Sequence, residues 1–434
     1  MIELQRMVSV TDFGPVKYAE IDLSNNFQVY VGVQASGKST LCKVCYFCRK
    51  IRDYTLTFML NRNQFEESHE NEYFNNYLKF LTRQFMGCFG TTKHMKPFRI
   101  TYRFGKCSID ICLRNGYVNF LFDEKTKKSL LNLIDIAATV YAEKFPKEAS
   151  EIIGFANFIS IVKQSFVRRL QQIFADNQDI IYVPAGRSLL ATIPEKLQGM
   201  PIDIIDLTMQ EFIHRISEIK DRFAVKLPEM RENYLKTVKG QINNAAVDKA
   251  YTLIRKIMKA DYTSESDGEK IYFDEKHWVK LMYSSSGQQE ALWILLICYL
   301  QILEKRSTFM IVEEPEAHLF PDAQQEIIKL LSLMVNTTSS NILLTTHSPY
   351  ILTSSNILLF ASSIKKESVD TLIDRQLRIC GDFFAADRVE NGKLKSIFDV
   401  ESQMIDIDYI DRISGDTNEV LDKLIEMSDI DDLQ

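Results

Sequence analysis

Gly32-Val33-Gln34-Ala35-Ser36-Gly37-Lys38-Ser39-Thr40 follows directly on the apolar run Val29-Tyr30-Val31. Strand, glycine-bearing loop, then helix is the setting in which GxxxxGK(S/T) holds phosphate. The loop's backbone N–H groups can cradle a phosphate chain, and the positive end of the next helix adds to the attraction. Lys38 is placed to reach the β- and γ-phosphates, and Ser39 to hold Mg²⁺. Gly32, Gln34, Ala35, Ser36, Gly37 and Thr40 complete the expected cradle.

Three later segments, in a fixed order, say which kind of nucleotide machine this is. Phe309-Met310-Ile311-Val312-Glu313-Glu314 is an apolar strand ending in two carboxylates, followed by Pro315-Glu316-Ala317-His318-Leu319. Ligands of open α/β sheets bind at such strand ends. Glu313 can position Mg²⁺ or its water, and Glu314 can orient or deprotonate an attacking water. Ahead of this strand, Ser284-Ser285-Ser286-Gly287-Gln288-Gln289 opens a helix. Ser285, Gly287 and Gln288 there can make a second anion site, although an ordinary helix cap reads the same way. Thr345-Thr346-His347-Ser348-Pro349 ends the next core strand, where His347 can donate to a γ-phosphate. His318 is a candidate for subunit contact. His69, His94, His214 and His277 read as structural or surface residues.

The rest of the chain organises around these motifs. Ile2–Val10 and Ala19–Leu23 alternate as strands about a turn at Phe13-Gly14-Pro15. Residues 61–77 read as a loop or short helix. Arg99–Phe104, Ser108–Leu113 and Tyr117–Phe122 read as an antiparallel meander with Asn115-Gly116 as a turn. A mostly helical stretch, 126–176, leads to a short strand, Ile180–Val183, and then Pro184-Ala185-Gly186-Arg187-Ser188. Arg187 reads equally as a nucleotide-proximal residue and as a structural ion pair. Ile205, Met209, Phe212, Ile216, Ile219 and Phe223 keep a heptad seam. This predicts an antiparallel helical hairpin or small helical lobe; a helix packed on the core would show the same pattern. Lys270–Phe273 and Val279–Tyr283 read as a hairpin. Phe309–Val312, Ile342–Thr346 and Asn356–Phe360 read as buried strands alternating with helices Gln289–Leu303 and Asp322–Val335, the mark of an α/β layer.

The composition, 46% apolar and 25% charged, is that of an ordinary globular protein. A net charge of −6 disfavours a chain that coats nucleic acid all over, but leaves room for a local basic patch. Lys93, Lys96, Arg99, Arg103 and Lys106 form the most basic stretch. The end of the chain, from Asp399, is acidic. No apolar run is long enough to span a bilayer, and the N-terminus has no signal-peptide layout. Cys42, Cys45 and Cys48, among eight cysteines, fall on the helix after the phosphate loop and read as small buried residues rather than metal ligands. A reducing, cytoplasmic setting is expected.

The four motifs resemble those of the ABC-type ATPase heads of the SMC, RecF and OLD families, and most of all the OLD-like ATPases often termed AAA-type. Gly32–Thr40, Ser285–Gln289, Glu313–Leu319 and Thr345–Pro349 carry the likeness, together with Tyr182–Ser188. The resemblance implies an α/β, ABC-type P-loop NTPase head: a mixed sheet with an antiparallel β subdomain and an inserted helical hairpin or coiled-coil lobe. It implies residues 1–122 and 266–365 as the two halves of the head, 123–265 as a mainly helical insertion whose strand near 180–187 returns to the head, and 366–434 as an acidic C-terminal region. It further implies ATP and Mg²⁺ as ligands and an ATP-dependent homodimer or higher oligomer. In that dimer Ser285 of one copy caps the γ-phosphate held by the other, while Glu314 activates water. Glu313 stands where many ABC proteins carry Asp.

The insertion is too long for a transporter cassette and too short for an SMC arm. Asp406-Ile407-Asp408 lacks a flanking core strand, so a Toprim nuclease domain is not expected. Proteins of this kind often work beside a separately encoded nuclease or toxin in anti-phage defence. A RecF-like head that binds duplex DNA is the competing expectation.

Overall fold

The computed structural model describes residues 6–61, 63–66, 72–144, 152–192, 205–237 and 242–406. In chain order, strands β1 (Arg6–Phe13), β2 (Val16–Asp22) and β3 (Phe27–Val31) lead into helix α1 (Lys38–Leu60). Helices α2 (Asn63–Glu66) and α3 (Tyr73–Phe89) precede the meander β4 (Arg99–Phe104), β5 (Cys107–Arg114) and β6 (Tyr117–Phe122). Helices α4 (Glu124–Lys144) and α5 (Ile152–Ile173) follow, then β7 (Asp179–Val183) and α6 (Leu189–Thr192). Next come α7 (Leu207–Ile219), α8 (Leu227–Thr237) and α9 (Asn244–Met258), and a small sheet of β8 (Asp261–Glu265), β9 (Gly268–Tyr272) and β10 (Trp278–Lys280). The chain continues through α10 (Ser286–Glu304), β11 (Thr308–Glu313), α11 (Pro321–Thr338), β12 (Asn341–Thr346) and α12 (Pro349–Ser363) to the hairpin β13 (Phe384–Glu390) and β14 (Lys393–Ser396).

One 11-stranded mixed sheet runs β6-β5-β4-β1-β2-β14-β13-β3-β12-β11-β7. The block β13-β3-β12-β11-β7 is parallel, and β1, β2, β4, β5 and β6 pair antiparallel. This is the α/β head with an antiparallel subdomain that the motifs predict. The central strands β3, β12 and β11 are mostly apolar and buried because both of their faces are covered. Phe27, Val29, Val31, Met310, Val312, Ile342 and Leu344 point into one core with α9, α10 and α11. Tyr30, Phe309, Ile311 and Leu343 point into the other with α1 and α3. Alternation with period two thus separates two cores across a single sheet.

The buried face of α1 carries Cys42, Cys45 and Cys48, each fully enclosed, so these thiols act as small apolar residues. Arg49 and Arg52 fasten α1 to the segment before β7. Arg49 donates to both carboxylate oxygens of Asp176, at 2.8 and 2.7 Å. Burial alone would raise the Asp176 carboxyl, but Arg49, Arg6 and Arg52 outweigh it and hold that carboxyl below its usual range.

Three expectations change. Residues 356–360 are helical, within α12, not a strand. Ser348 accepts from the Tyr350 N–H and Pro349 occupies the first turn, so a helix start precedes an apolar run that gives no period of its own. The stretch 61–77 keeps its reading as short helix, with α2 and the start of α3 within it. The seam of 205–223 does not build a separate hairpin among the described residues. Met209, Phe212, Ile216 and Phe223 are buried in the same core as the parallel sheet, so each helix packs on the head. Finally, the described part of the C-terminal region, 366–406, is not apart from the head: β13 lies beside β3, within the central sheet. The acidic residues from 407 onward, and Ile407 and Asp408 with them, lie outside the described residues, as do Met1–Gln5 and His69.

Candidate nucleotide site

The loop 32–40 connects β3 to α1 at the carboxyl end of the parallel strands. Gly32 is required by its surroundings: a Cβ there would stand 2.5 Å from the Val389 carbonyl oxygen on β13. Ala35 has φ 60°, which turns the loop back on itself. No side chain caps α1 at Gly37, so the first N–H groups of the helix stay available to an anion. Lys38 is buried and donates to the carbonyls of Gly32 and Val33 at 2.8 and 3.0 Å. Burial lowers its pKa, and Glu314 is the main carboxylate opposing that. The Ser36 hydroxyl is buried without a partner. Ser39 and Gln34 are exposed, and Thr40 is half-buried.

The acidic strand ends beside this loop. Glu313 is buried; one carboxylate oxygen accepts from the Ala185 N–H at 3.2 Å, and the other has no partner. Glu314 has φ 44°, a conformation rare for a residue with a side chain. Its N–H donates to the Thr345 carbonyl at 3.0 Å and its carbonyl accepts from Arg187 at 3.0 Å, so the turn is held from both sides. This leaves the Glu314 carboxylate half-exposed, 3.6 Å from Nε2 of His347. Burial and the positive charge of Lys38 lower the His347 pKa, so the imidazole is neutral at neutral pH.

Glu316, two residues on, accepts from the Thr346 hydroxyl at 2.6 Å and the His347 N–H at 2.9 Å, fixing the backbone that presents His347. Its burial raises its pKa. Three carboxylates thus act on the single ammonium of Lys38. An unpartnered buried oxygen on Glu313 and this surplus of negative charge suit a divalent cation, and the free Ser36 hydroxyl and uncapped helix suit the phosphates it accompanies. The residues present therefore fit ATP with Mg²⁺.

Ser285 caps α10 in a reciprocal box with Gln288: the Gln288 N–H donates to Oγ at 3.3 Å and the Ser285 N–H to Gln288 Oε1 at 3.2 Å. A Cβ on Gly287 would lie 2.6 Å from the His318 carbonyl, so glycine lets the loop after the acids lie directly against the start of α10. His318 contributes that backbone contact. Ser285, Gly287 and Gln288 line a cavity of about 880 Å³ with His318, Leu319 and Phe320, and no residue of 32–40 reaches it.

Lys38, Glu313, Glu314 and His347 are therefore brought together, and the Ser285 motif is not joined to them within one chain. Arg187 resolves to the structural alternative. It is fully buried against Glu290 and the carbonyls of Pro184, Glu313 and Glu314. Glu290 and Val389 were not singled out in the sequence. Glu290 directly follows the Ser285–Gln289 motif, which is a usable signal; Val389 has none, because only the fold puts β13 behind the loop.

No curated protein is significantly similar to the chain. Several solved structures align with it. An Smc head bound to the C-winged helix domain of ScpA aligns at 12% identity and TM-score 0.41, over 91% of this chain and 97% of that one. The SMC head domain from Thermotoga maritima aligns at 11% identity and TM-score 0.37, over 91% and 98%. An Smc head with an extended coiled coil, bound to the C-terminal domain of ScpA derived from Pyrococcus furiosus, aligns at 14% identity and TM-score 0.39, over 91% and 96%. No described helix is long and apolar enough to cross a membrane. The family described as AAA ATPase domain matches residues 6–352, from β1 into α12 and across all four motifs. The chain belongs to that family of ATPase domains.

Proposed function

We propose that this is a regulatory ATPase that binds ATP and Mg²⁺ between two copies of itself and, through that cycle, controls a separate nuclease or toxin of the anti-phage defence type. One observation carries the dimeric reading. The 32–40 loop with Glu313, Glu314 and His347 forms one half of a site, while Ser285, Gly287 and Gln288 open onto a different cavity of the same chain. Two copies facing each other put each half against the other's complement, and the resulting interface is symmetric. The motif resemblance supplies the effector.

ATP with Mg²⁺ supplies the phosphoanhydride and the charge that steadies it. On binding, Lys38 exchanges the Gly32 and Val33 carbonyls for phosphate oxygens. Ser39 and the unpartnered oxygen of Glu313 would hold the metal. The Glu314 carboxylate accepts the proton of the attacking water, and His347 donates to the γ-phosphate. Closure follows from a higher affinity of the paired form for ATP than for ADP.

The test is native mass of the protein expressed with its genomic neighbours, with and without ATP. Dimerisation with ATP and a copurifying second chain support the reading; an assembly indifferent to ATP rejects it. A second reading, a DNA-maintenance ATPase, is favoured by another cavity of about 880 Å³ lined by Lys106, Lys125 and Arg169 and by no carboxylate. It requires DNA binding that weakens steeply with salt.

A further inference from the structure

Arg187 joins three segments that the chain brings from far apart. Its Nη1 donates to the Pro184 carbonyl at 2.8 Å and the Glu313 carbonyl at 2.6 Å, and Nη2 donates to the Glu314 carbonyl at 3.0 Å. Its Nε donates to the Glu290 carbonyl at 2.9 Å and lies 3.4 Å from the Glu290 carboxylate. That carboxylate is itself enclosed and accepts the N–H groups of Arg187 and Ser188, both at 3.1 Å. Glu290 belongs to α10, the helix that begins at Ser285. The guanidinium therefore touches both the helix that carries the second anion motif and the two carbonyls that set the catalytic turn.

We propose that Arg187 is a positioning residue that couples the two nucleotide sites of the dimer: engagement of Ser285 by the nucleotide of a second copy fixes, through α10, Glu290 and Arg187, the placement of Glu314 at the chain's own nucleotide. This rests on the two-copy reading above. The coupling is physical because the guanidinium is planar and rigid. A displacement of α10 moves the fork, and the fork is bonded to the backbone on which Glu314 hangs. Glu314 sits in a strained left-handed turn, so loss of one of its anchors lets it relax away from the productive position. Lysine keeps the charge but cannot bridge Glu290 and three carbonyls at once.

The test uses the full chain with Arg187→Lys, and Glu290→Gln as a second variant that removes the charge but keeps an acceptor oxygen. Each is measured for ATP affinity, ATP-dependent dimerisation and steady-state hydrolysis against ATP concentration. Wild type is expected to dimerise and to hydrolyse ATP with a Hill coefficient approaching the number of sites, about 2. The variants are expected to bind ATP and dimerise as wild type does, with kcat lower on the order of 10²-fold and a Hill coefficient near 1. Should Arg187→Lys not fold, Glu290→Gln is read by the same criteria. Variants that keep the wild-type Hill coefficient and kcat, or lose ATP affinity in step with kcat, overturn the coupling while leaving the two-copy reading intact. A wild type that binds ATP without dimerising overturns both.

Discussion

Oε1 of Glu314 lies 3.6 Å from Nε2 of His347, although the two residues come from the ends of different strands. Neither is free to drift. The Glu314 turn is bonded to Thr345 and Arg187, and the His347 N–H to Glu316. The contact joins a carboxylate able to accept a proton and an imidazole able to donate a hydrogen bond. Glu314→Gln is expected to lower kcat by about 10²–10⁴-fold, the usual range for loss of a general base, while ATP binding persists. It should also hold the dimer closed in ATP. Single-turnover hydrolysis together with native mass checks this, and unchanged turnover would remove Glu314 from its assigned role.

The His347 environment sets a pH dependence. Burial and Lys38 place its pKa below the ordinary 6.5, so it is neutral at pH 7 and protonates only as pH falls below that value. The protonated ring would attract Glu314 and hold the base away from water. Accordingly, kcat/KM is expected to fall on acidification with an apparent pKa under 6.5, and His347→Gln to lack that limb. A limb centred at or above 6.5, or one that survives in the variant, would contradict the assignment.

Gly32 shows how closely the C-terminal hairpin presses on the phosphate loop. With a Cβ 2.5 Å from the Val389 carbonyl, Gly32→Ala must push β13 and the loop apart. Stability is expected to fall by roughly 1–3 kcal/mol, typical of overpacking, and ATP affinity with it. Denaturant unfolding and ATP titration would show both effects; a variant with wild-type values for each would mean that the loop has room this structure does not show.

Asp387, on β13 opposite Tyr30, has its pKa raised from 3.8 to about 6 by burial. A raised carboxyl pKa means that the folded chain holds the proton more tightly than the unfolded chain. Its effect is therefore absent below about pH 4, grows as pH rises toward 6, and then persists as a constant penalty. Asp387→Asn should stabilise the protein above pH 6 by about 3 kcal/mol and leave stability at pH 4 nearly unchanged. Melting curves of both proteins across this range decide it, and an equal difference at every pH would show that the charge is not the cause.

The four motifs were legible because each is local. A few adjacent residues at a strand end or helix start fix the backbone shape, and the chemistry follows from that shape. That β3, β11 and β12 are buried strands was legible for the same reason, since each is a short apolar run flanked by turns. What stayed hidden depends on pairings across the chain. The β13 strand carries Asp387, Arg388 and Glu390, so its sequence reads as a polar tail, and only its place beside β3 makes it part of the sheet. Arg187 was visible as a residue of interest, but its partner Glu290 and the carbonyls it holds were not. The α12 helix was misread because a continuous apolar run has no period, whereas the Ser348-Pro349 start carried the answer.

The most direct test of the account mixes two disabled proteins. Lys38→Ala lacks the phosphate contact but keeps Ser285; Ser285→Arg keeps the 32–40 loop but places a bulky charge at an exposed position of the second motif. Each alone should fail to dimerise with ATP. If each site is built from two copies, the mixed dimer has one intact site in which the 32–40 loop of one copy faces Ser285 of the other, and an equimolar mixture should recover ATP-dependent dimer by native mass. A mixture that assembles with ATP no more than its two components do would contradict the two-copy site.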